Sequence, residues 1–244
     1  KIAVIRLPRI SNFTDIAPLE AVDELDVSYV SNISQFGDPD VVIIPGSKNT
    51  ISDLLWMRQN GLEGKILRHA AKGGIVFGIC GGYQMLGQSI SDPTGAEQKG
   101  TVRGMGLLPV TTVFEQEKRR TRVSGRFAKV GGALAEMSGV CYEGYEIHMG
   151  RTVLSKGTVP LVYMEEEGEQ RQDGAQSDHV YGCYMHGIFD MSETVKTFLA
   201  AVLRKKGIDP SKITVRDRNA YKEEQYDRLA SIVRENLNME AVYK

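Results

Sequence analysis

The sequence predicts an α/β fold with a central, mostly parallel sheet flanked by helices and antiparallel β additions in its second half. Three observations predict it. Short β-branched runs alternate with amphipathic stretches through the first half, the pattern of strands joined by covering helices. Two of those runs end in glycine turns, Pro45-Gly46-Ser47 and Cys80-Gly81-Gly82. From Gly100 onward, strand-like segments follow one another with no helical period between them.

In order along the chain, Lys1 to Leu7 reads as the first strand, Leu25 to Val30 as the second, and Asp40 to Ile44 as a third that is apolar enough to be central. Thr50 to Gln59 carries Ile51, Leu54, Leu55 and Met57 at helical spacing, and Leu62 to Lys72 continues as a helix closed by Gly73-Gly74. Ile75 to Ile79 is the next buried strand. The β-rich half comprises Leu107 to Phe114, Arg122 to Val130, Cys141 to Leu154, Leu161 to Glu165 and His179 to Met185. The polar stretch Glu166 to Ser177 reads as an exposed hairpin turn or loop. Ser192 to Lys206, with Ser192 as N-cap, and Asn219 to Leu237 read as terminal helices.

Composition narrows the function. With 30 basic and 31 acidic residues, the net charge of -1 gives no electrostatic reason to expect nucleic acid or an anionic membrane as partner. No apolar run approaches the roughly 20 residues that cross a bilayer, and the N-terminal stretch has no secretory pattern. A cytoplasmic location is the expectation. The 3 cysteines, Cys80, Cys141 and Cys183, are too few for a disulfide framework and suit a reducing compartment. The chain opens on a lysine that runs directly into a strand, as though an N-terminal partner domain were missing.

The chemistry concentrates at Gly74-Ile-Val-Phe-Gly-Ile-Cys80-Gly-Gly-Tyr-Gln84. A buried strand ends at Cys80, two glycines follow, and a helix begins, which is the strand, sharp turn and helix arrangement of a nucleophile elbow. The turn lifts the thiol above the sheet and leaves the Gly81 N–H facing the same space, where it stabilises a tetrahedral oxyanion. A thiol nucleophile needs a base. Of the 4 histidines, His69 sits in a helix among basic residues and reads as solvated, whereas His186 follows a strand and precedes Gly187, so it gathers with other side chains over the sheet. Cys183 and His186 do not read as a metal pair, since strand alternation sends them to opposite faces, and no metal is expected. The turn at Gly46 is placed to complete the oxyanion hole opposite Gly81. No G-x-x-x-x-G-K-[ST] motif occurs, so ATP chemistry is not encoded in this chain.

Ile43-Ile-Pro-Gly-Ser47, Gly78-Ile-Cys80-Gly-Gly-Tyr-Gln84 and the late His186 together resemble the class I glutamine amidotransferases, which have a flavodoxin-like fold. Ile188 stands where most of them place an acid two residues after the histidine. That resembles the branch of cobyric acid synthase and cobyrinic acid diamide synthase. Within it, Arg6-Leu-Pro-Arg-Ile-Ser-Asn-Phe-Thr-Asp15, Gly144-Tyr-Glu-Ile-His-Met-Gly150 and Tyr184-Met-His-Gly-Ile-Phe-Asp190 look most like the C-terminal glutaminase domains of cobyric acid synthases.

The resemblance implies that residues 1–244 form one glutaminase domain with Cys80 as nucleophile and His186 as base, with Gly46 and Gly81 at the oxyanion hole. It implies an N-terminal synthetase domain as partner, with ATP and Mg expected only there, no cofactor in this domain, and corrin carboxylates as acceptors of ammonia drawn from glutamine. The sister diamide synthase, a cell-wall isoglutaminyl synthase, and a catalytically idle docking module of the same fold are the alternatives. With Ile188 unable to orient the imidazole, a Cys80–His186 dyad is the expectation, with Asp190, Glu146 or a backbone carbonyl as substitutes. Gln84 and Ser47 are expected to hold the glutamine, Arg122 to meet its α-carboxylate, and His148 to lie near the site.

Overall fold

A computed structural model describes residues 1–166, 169–215, 218–238 and 241, and in it fourteen strands and six α-helices follow one another. They are β1 (Ile2–Ile5), β2 (Ile10–Ser11), α1 (Ala17–Glu20), β3 (Val27–Val30), β4 (Val41–Ile44), β5 (Gly46–Ser47), α2 (Thr50–Gln59), α3 (Leu62–Ala71), β6 (Ile75–Ile79) and α4 (Gly81–Leu86). The second half contributes β7 (Ser89–Asp92), β8 (Gly100–Arg103), β9 (Val110–Phe127), β10 (Cys141–Leu154), β11 (Val162–Glu166), β12 (Glu169–Asp173), β13 (Ala175–Ser177), β14 (Val180–Cys183), α5 (Ser192–Lys205) and α6 (Arg218–Asn236).

The central sheet runs β13-β14-β6-β4-β1-β3. Its pairings are parallel except β13 with β14. The apolar runs β1, β4 and β6 are buried along their whole length, as strands covered on both faces must be. The middle of this sheet therefore delivers two neighbouring strand ends, that of β4 leading into Pro45-Gly46-Ser47 and that of β6 leading into Cys80. A second sheet, β12-β11-β9-β7-β8 with β10 on β9, carries the β-rich half. It is antiparallel apart from β7 with β9.

The structure departs from the sequence reading in several places, four of them in how the expected elements are built. The two strands expected over Leu107 to Phe114 and Arg122 to Val130 are one continuous β9 of 18 residues. The stretch taken as a loop from Glu166 onward is mostly β12 and β13; β12 pairs with β11 through Met164↔Arg171 and its neighbours. Its polar residues hide the strand, because Glu169, Gln170 and Gln172 are exposed and Arg171 pairs with Glu146 and Glu166 rather than facing an apolar core. Ser192 opens α5 without a side-chain cap, and Met191 holds the cap position. His69 is half-buried, its Nε2 3.1 Å from the Ile75 carbonyl oxygen.

Candidate active site

Cys80 sits at φ 51, ψ -108, a conformation that side chains rarely adopt and that persists only where the surroundings impose it. The surroundings here are tight. The Cys80 N–H donates to the Cys183 carbonyl at 2.9 Å, anchoring the strand end. A Cβ at Gly82 would overlap the Ile44 carbonyl, and one at Gly78 would stand 2.6 Å from Leu86 Cδ1 and 2.7 Å from the Tyr83 nitrogen. Glycine at both positions lets α4 fold back onto the ends of β4 and β6. The thiol sits 3.8 Å from the Ile147 carbonyl oxygen. Cys183 is wholly buried, and burial pushes its thiol well above the ordinary range; Cys141 is exposed on β10. Cys80 lines a cavity together with His148.

His186 is buried, with its backbone bound in both directions to Tyr145: N–H to the Tyr145 carbonyl at 2.9 Å, and the Tyr145 N–H to the His186 carbonyl at 3.1 Å. The two rings stack at 5.2 Å. Gly144 permits this approach, since a Cβ there would overlap the His186 carbonyl oxygen. The imidazole does not lack an acid. Its Nδ1 lies 2.7 Å from Asp15 Oδ2, and the Gly187 N–H donates to Asp15 Oδ1 at 2.9 Å. Where a dyad is expected, the ring meets Asp15, and neither of the two carboxylates named as substitutes, nor a backbone carbonyl, takes that place: Glu146 faces Arg119 and Arg171, while the Asp190 carboxylate lies beside Gly187. Burial alone would lower the His186 pKa, but the Asp15 hydrogen bond and the Cys80 thiol outweigh it and raise it to about 9. Nε2 is buried with no hydrogen-bond partner among the described residues, and besides Asp15 it is Cys80 that acts on the ring.

The glycine turn after β4 contributes in a different frame from the one expected. β5 pairs antiparallel with β2, Ile10↔Ser47 and Ser11↔Gly46, and the Lys48 N–H donates to the Arg9 carbonyl at 2.9 Å. Antiparallel pairs alternate between hydrogen-bonded and open. Gly46 is therefore in a bonded pair with Ser11, and it is the Ser47 N–H that turns outward. A Cβ at Gly81 would stand 2.9 Å from the Ser47 nitrogen. The two free donors converging beside Cys80 are thus the N–H groups of Gly81 and Ser47. Gly46 is needed for closeness: a Cβ there would sit 3.1 Å from His186 Cε1. The Ser47 hydroxyl donates to buried Asp53 at 2.7 Å and so braces the turn.

A cavity of about 310 Å³ opens at this point, lined among others by Cys80, Ser47, Lys48, Gln84, Glu97 and His148. Gln84 donates to the Tyr184 hydroxyl at 3.0 Å, and its Oε1 lies 3.2 Å from the Thr50 hydroxyl. His148 stacks on Tyr184 at 3.7 Å and its Nδ1 donates to the Gly150 carbonyl at 2.8 Å. β10 shifts register between His148 and Gly150, and Ile147, His148 and Met149 line the cavity at that point. Arg122 is not there; it lies exposed on β9 opposite Tyr145, and among the described residues Lys48 is a cation that lines the cavity.

Glu97 has no counterpart in the sequence reading. Buried Asp92 accepts the N–H groups of Gly95, Ala96, Glu97 and Gln98 at 2.8–2.9 Å, curling that loop so that Glu97 reaches Thr50 and the Ile51 N–H at 3.3 Å. Burial raises the Glu97 pKa despite those hydrogen bonds. The signal available in the sequence was an aspartate followed by a glycine-containing polar turn, which reads as an ordinary loop.

A cysteine on a strand-to-helix elbow, an acid-supported histidine and two converging backbone donors define a cysteine hydrolase or amidotransferase of α/β architecture. The chain belongs to the CobB/CobQ-like glutamine amidotransferase domain family, whose model matches residues 1–194. It is 52% identical over 247 residues to a cobyric acid synthase of Ruminiclostridium cellulolyticum and 44% identical over 253 residues to one of Lachnoclostridium phytofermentans. All of this chain is covered in both cases, but it spans only 48% and 49% of the relatives' lengths. Among solved structures, a glutamine amidotransferase aligns with 82% of this chain and 98% of its own at TM-score 0.60 and 16% identity. The PurLQS structure from Thermotoga maritima aligns with 84% of this chain and 98% of its own at TM-score 0.61 and 17% identity. Both establish the fold. No helix among the described residues is long and apolar enough to cross a membrane.

Proposed function

We propose that this chain hydrolyses glutamine through a γ-glutamyl thioester on Cys80 and that the ammonia serves ATP-dependent amidation of corrin-ring carboxylates, on the way to adenosylcobyric acid. The observation that carries the reading is that Cys80 and Ser47 line one cavity, with the His186 ring against Cys80 and the Gly81 backbone against the Ser47 nitrogen.

The raised pKa of His186 means that a proton taken from Cys80 stays on the imidazole, giving a thiolate beside an imidazolium. The thiolate attacks the side-chain amide carbon, and the oxyanion rests on the Gly81 and Ser47 N–H groups. His186 then protonates the nitrogen as the C–N bond breaks and ammonia leaves. Now neutral, it takes a proton from water, whose oxygen attacks the thioester; glutamate departs and the thiol is restored. Glu97 receives the substrate α-ammonium, Lys48 its α-carboxylate, and Gln84 shapes the cavity floor. Every step uses protein groups and water alone. ATP and Mg belong to the amidation half, which we assign to a synthetase domain partnering this one.

The relatives' names and the chain's span of about half their length support the second half of the proposal. The test uses the full-length protein with ATP and a corrin carboxylate. Cys80→Ala should lose glutamine-dependent amidation and keep amidation from ammonium salts. Loss of both in a folded, ATP-binding variant overturns the division of labour.

A further inference from the structure

The buried contact between Asp15 and His186 joins residues 171 positions apart in the chain, and nothing in the strand-end motifs around Cys80 or His186 announces it. Both carboxylate oxygens of Asp15 are committed to the histidine segment, Oδ2 to the ring and Oδ1 to the Gly187 N–H. The side chains of His186 and Asp15 are 1% and 2% exposed. A carboxylate so far from water is retained only where its partners use its charge. Ile188, which occupies the position where an acid could have come from the histidine's own segment, is fully buried.

The segment that brings Asp15 to this place is short and bent. After β1 the chain makes the two-residue strand β2, turns at Asn12 with φ 52, and forms a single 3-10 turn over Phe13–Asp15, closed by the Asp15 N–H to the Asn12 carbonyl at 2.9 Å. β2 is also the strand that holds Gly46 and sets the outward direction of the Ser47 N–H. One excursion of the chain thus fixes both the imidazole and an oxyanion donor. Arg9 ties its start to the same Asp53 that braces the Ser47 hydroxyl, the Arg9 N–H donating to Asp53 Oδ2 at 3.1 Å.

We propose that Asp15 is the positioning residue of this site, completing a Cys80–His186–Asp15 triad from the excursion after the first strand. The proposal rests on the glutaminase reading above and deepens it. Asp15 accepts the Nδ1 proton, so the neutral ring presents the Nε2 lone pair to Cys80 and the charged ring is stabilised once it holds the thiol proton. The groups facing the ring are Asp15, the Cys80 thiol and the Tyr145 ring; the Asp190 carboxylate lies one peptide away beside Gly187.

Asp15→Asn keeps the shape and an acceptor for Gly187 but offers an amide donor to Nδ1, which favours the wrong tautomer. Turnover should fall on the order of 10²- to 10⁴-fold. The readout that separates positioning from mere structure is the pH profile of Cys80-dependent glutamine hydrolysis by the intact protein. Its alkaline limb, set by loss of the His186 proton, should shift to lower pH in Asp15→Asn and stay in place in Asp190→Asn. An unmoved limb in a folded Asp15→Asn protein overturns the proposal, whether or not turnover falls. Should that variant not fold, nitrogen NMR of wild-type His186 decides: the Nδ1–H tautomer above the alkaline limb supports the proposal, and the Nε2–H tautomer overturns it. A wild-type protein with no Cys80-dependent hydrolysis would instead sink the glutaminase reading itself.

Discussion

Replacing Gly82 by alanine tests whether the elbow is held by backbone packing. The added Cβ overlaps the Ile44 carbonyl oxygen and stands 2.6 Å from the carbonyl carbon and 2.9 Å from the Pro45 oxygen, where ordinary contact begins at 3.4 Å. Every one of these atoms is main chain, so no side chain can rotate away. The carbonyl carbon alone calls for a separation of about 0.8 Å between α4 and the Pro45 turn, and the Ile44 carbonyl oxygen, which stands closer, calls for more. Overpacking of this kind costs about 1–3 kcal/mol, and at roughly 2–4 °C per kcal/mol for a domain of this size the Tm should drop by about 2–12 °C. The larger effect is on catalysis. The turn being pushed carries the Ser47 donor, and a misplacement near 1 Å costs on the order of 10²-fold. Gly64 in α3 is the control, since a Cβ there meets nothing within 4 Å; Gly64→Ala should gain about 0.5–1 kcal/mol of stability and leave turnover alone. Thermal unfolding with a glutamate-release assay reads both. A Gly82→Ala protein with wild-type Tm and turnover would refute the packing argument.

Three further outcomes are expected. Glu97→Gln should raise KM for glutamine about 10- to 100-fold, the scale of a lost hydrogen bond to a charged group, with a smaller change in kcat; an unchanged KM removes Glu97 from the ammonium site. Arg122→Ala should leave KM as it is, and a rise comparable to that of Glu97→Gln would restore Arg122 as the carboxylate ligand. Asp173 is buried and its pKa is raised to about 6, by burial first and by the Glu146 charge second. The unfolded chain therefore ionises at lower pH than the folded one, and stability should fall as pH rises from about 4 to 6 by up to about 3 kcal/mol. Asp173→Asn should remove that dependence and raise Tm at pH 7 but not at pH 4; equal Tm differences at both values would contradict the assignment.

Much of the site was legible in the sequence because its geometry is local. The glycines at 78, 81 and 82 are needed within one strand-turn-helix unit, so their spacing announces Cys80. His186 emerged by elimination among few histidines. Asp15 was not legible as the acid. Its contact with His186 depends on how the excursion after β1 folds over the sheet, a relation that no spacing between them encodes. The turn at Gly46 is legible but the direction of each N–H in it is not, because which N–H turns outward depends on the pairing of β5 with β2. Arg122 was misplaced because a strand assignment gives a face but not a distance from the cavity. Glu97 was missed because its position depends on one buried aspartate gathering four backbone N–H groups.

The central claim is covalent catalysis by Cys80, and the most direct measurement is mass spectrometry of protein quenched in acid during glutamine turnover. The account predicts a γ-glutamyl adduct on the Cys80 peptide alone, sensitive to hydroxylamine and absent from Cys80→Ser, whose hydrolysis should be lost. An adduct on Cys141 or Cys183, or sustained turnover by Cys80→Ser, would contradict it.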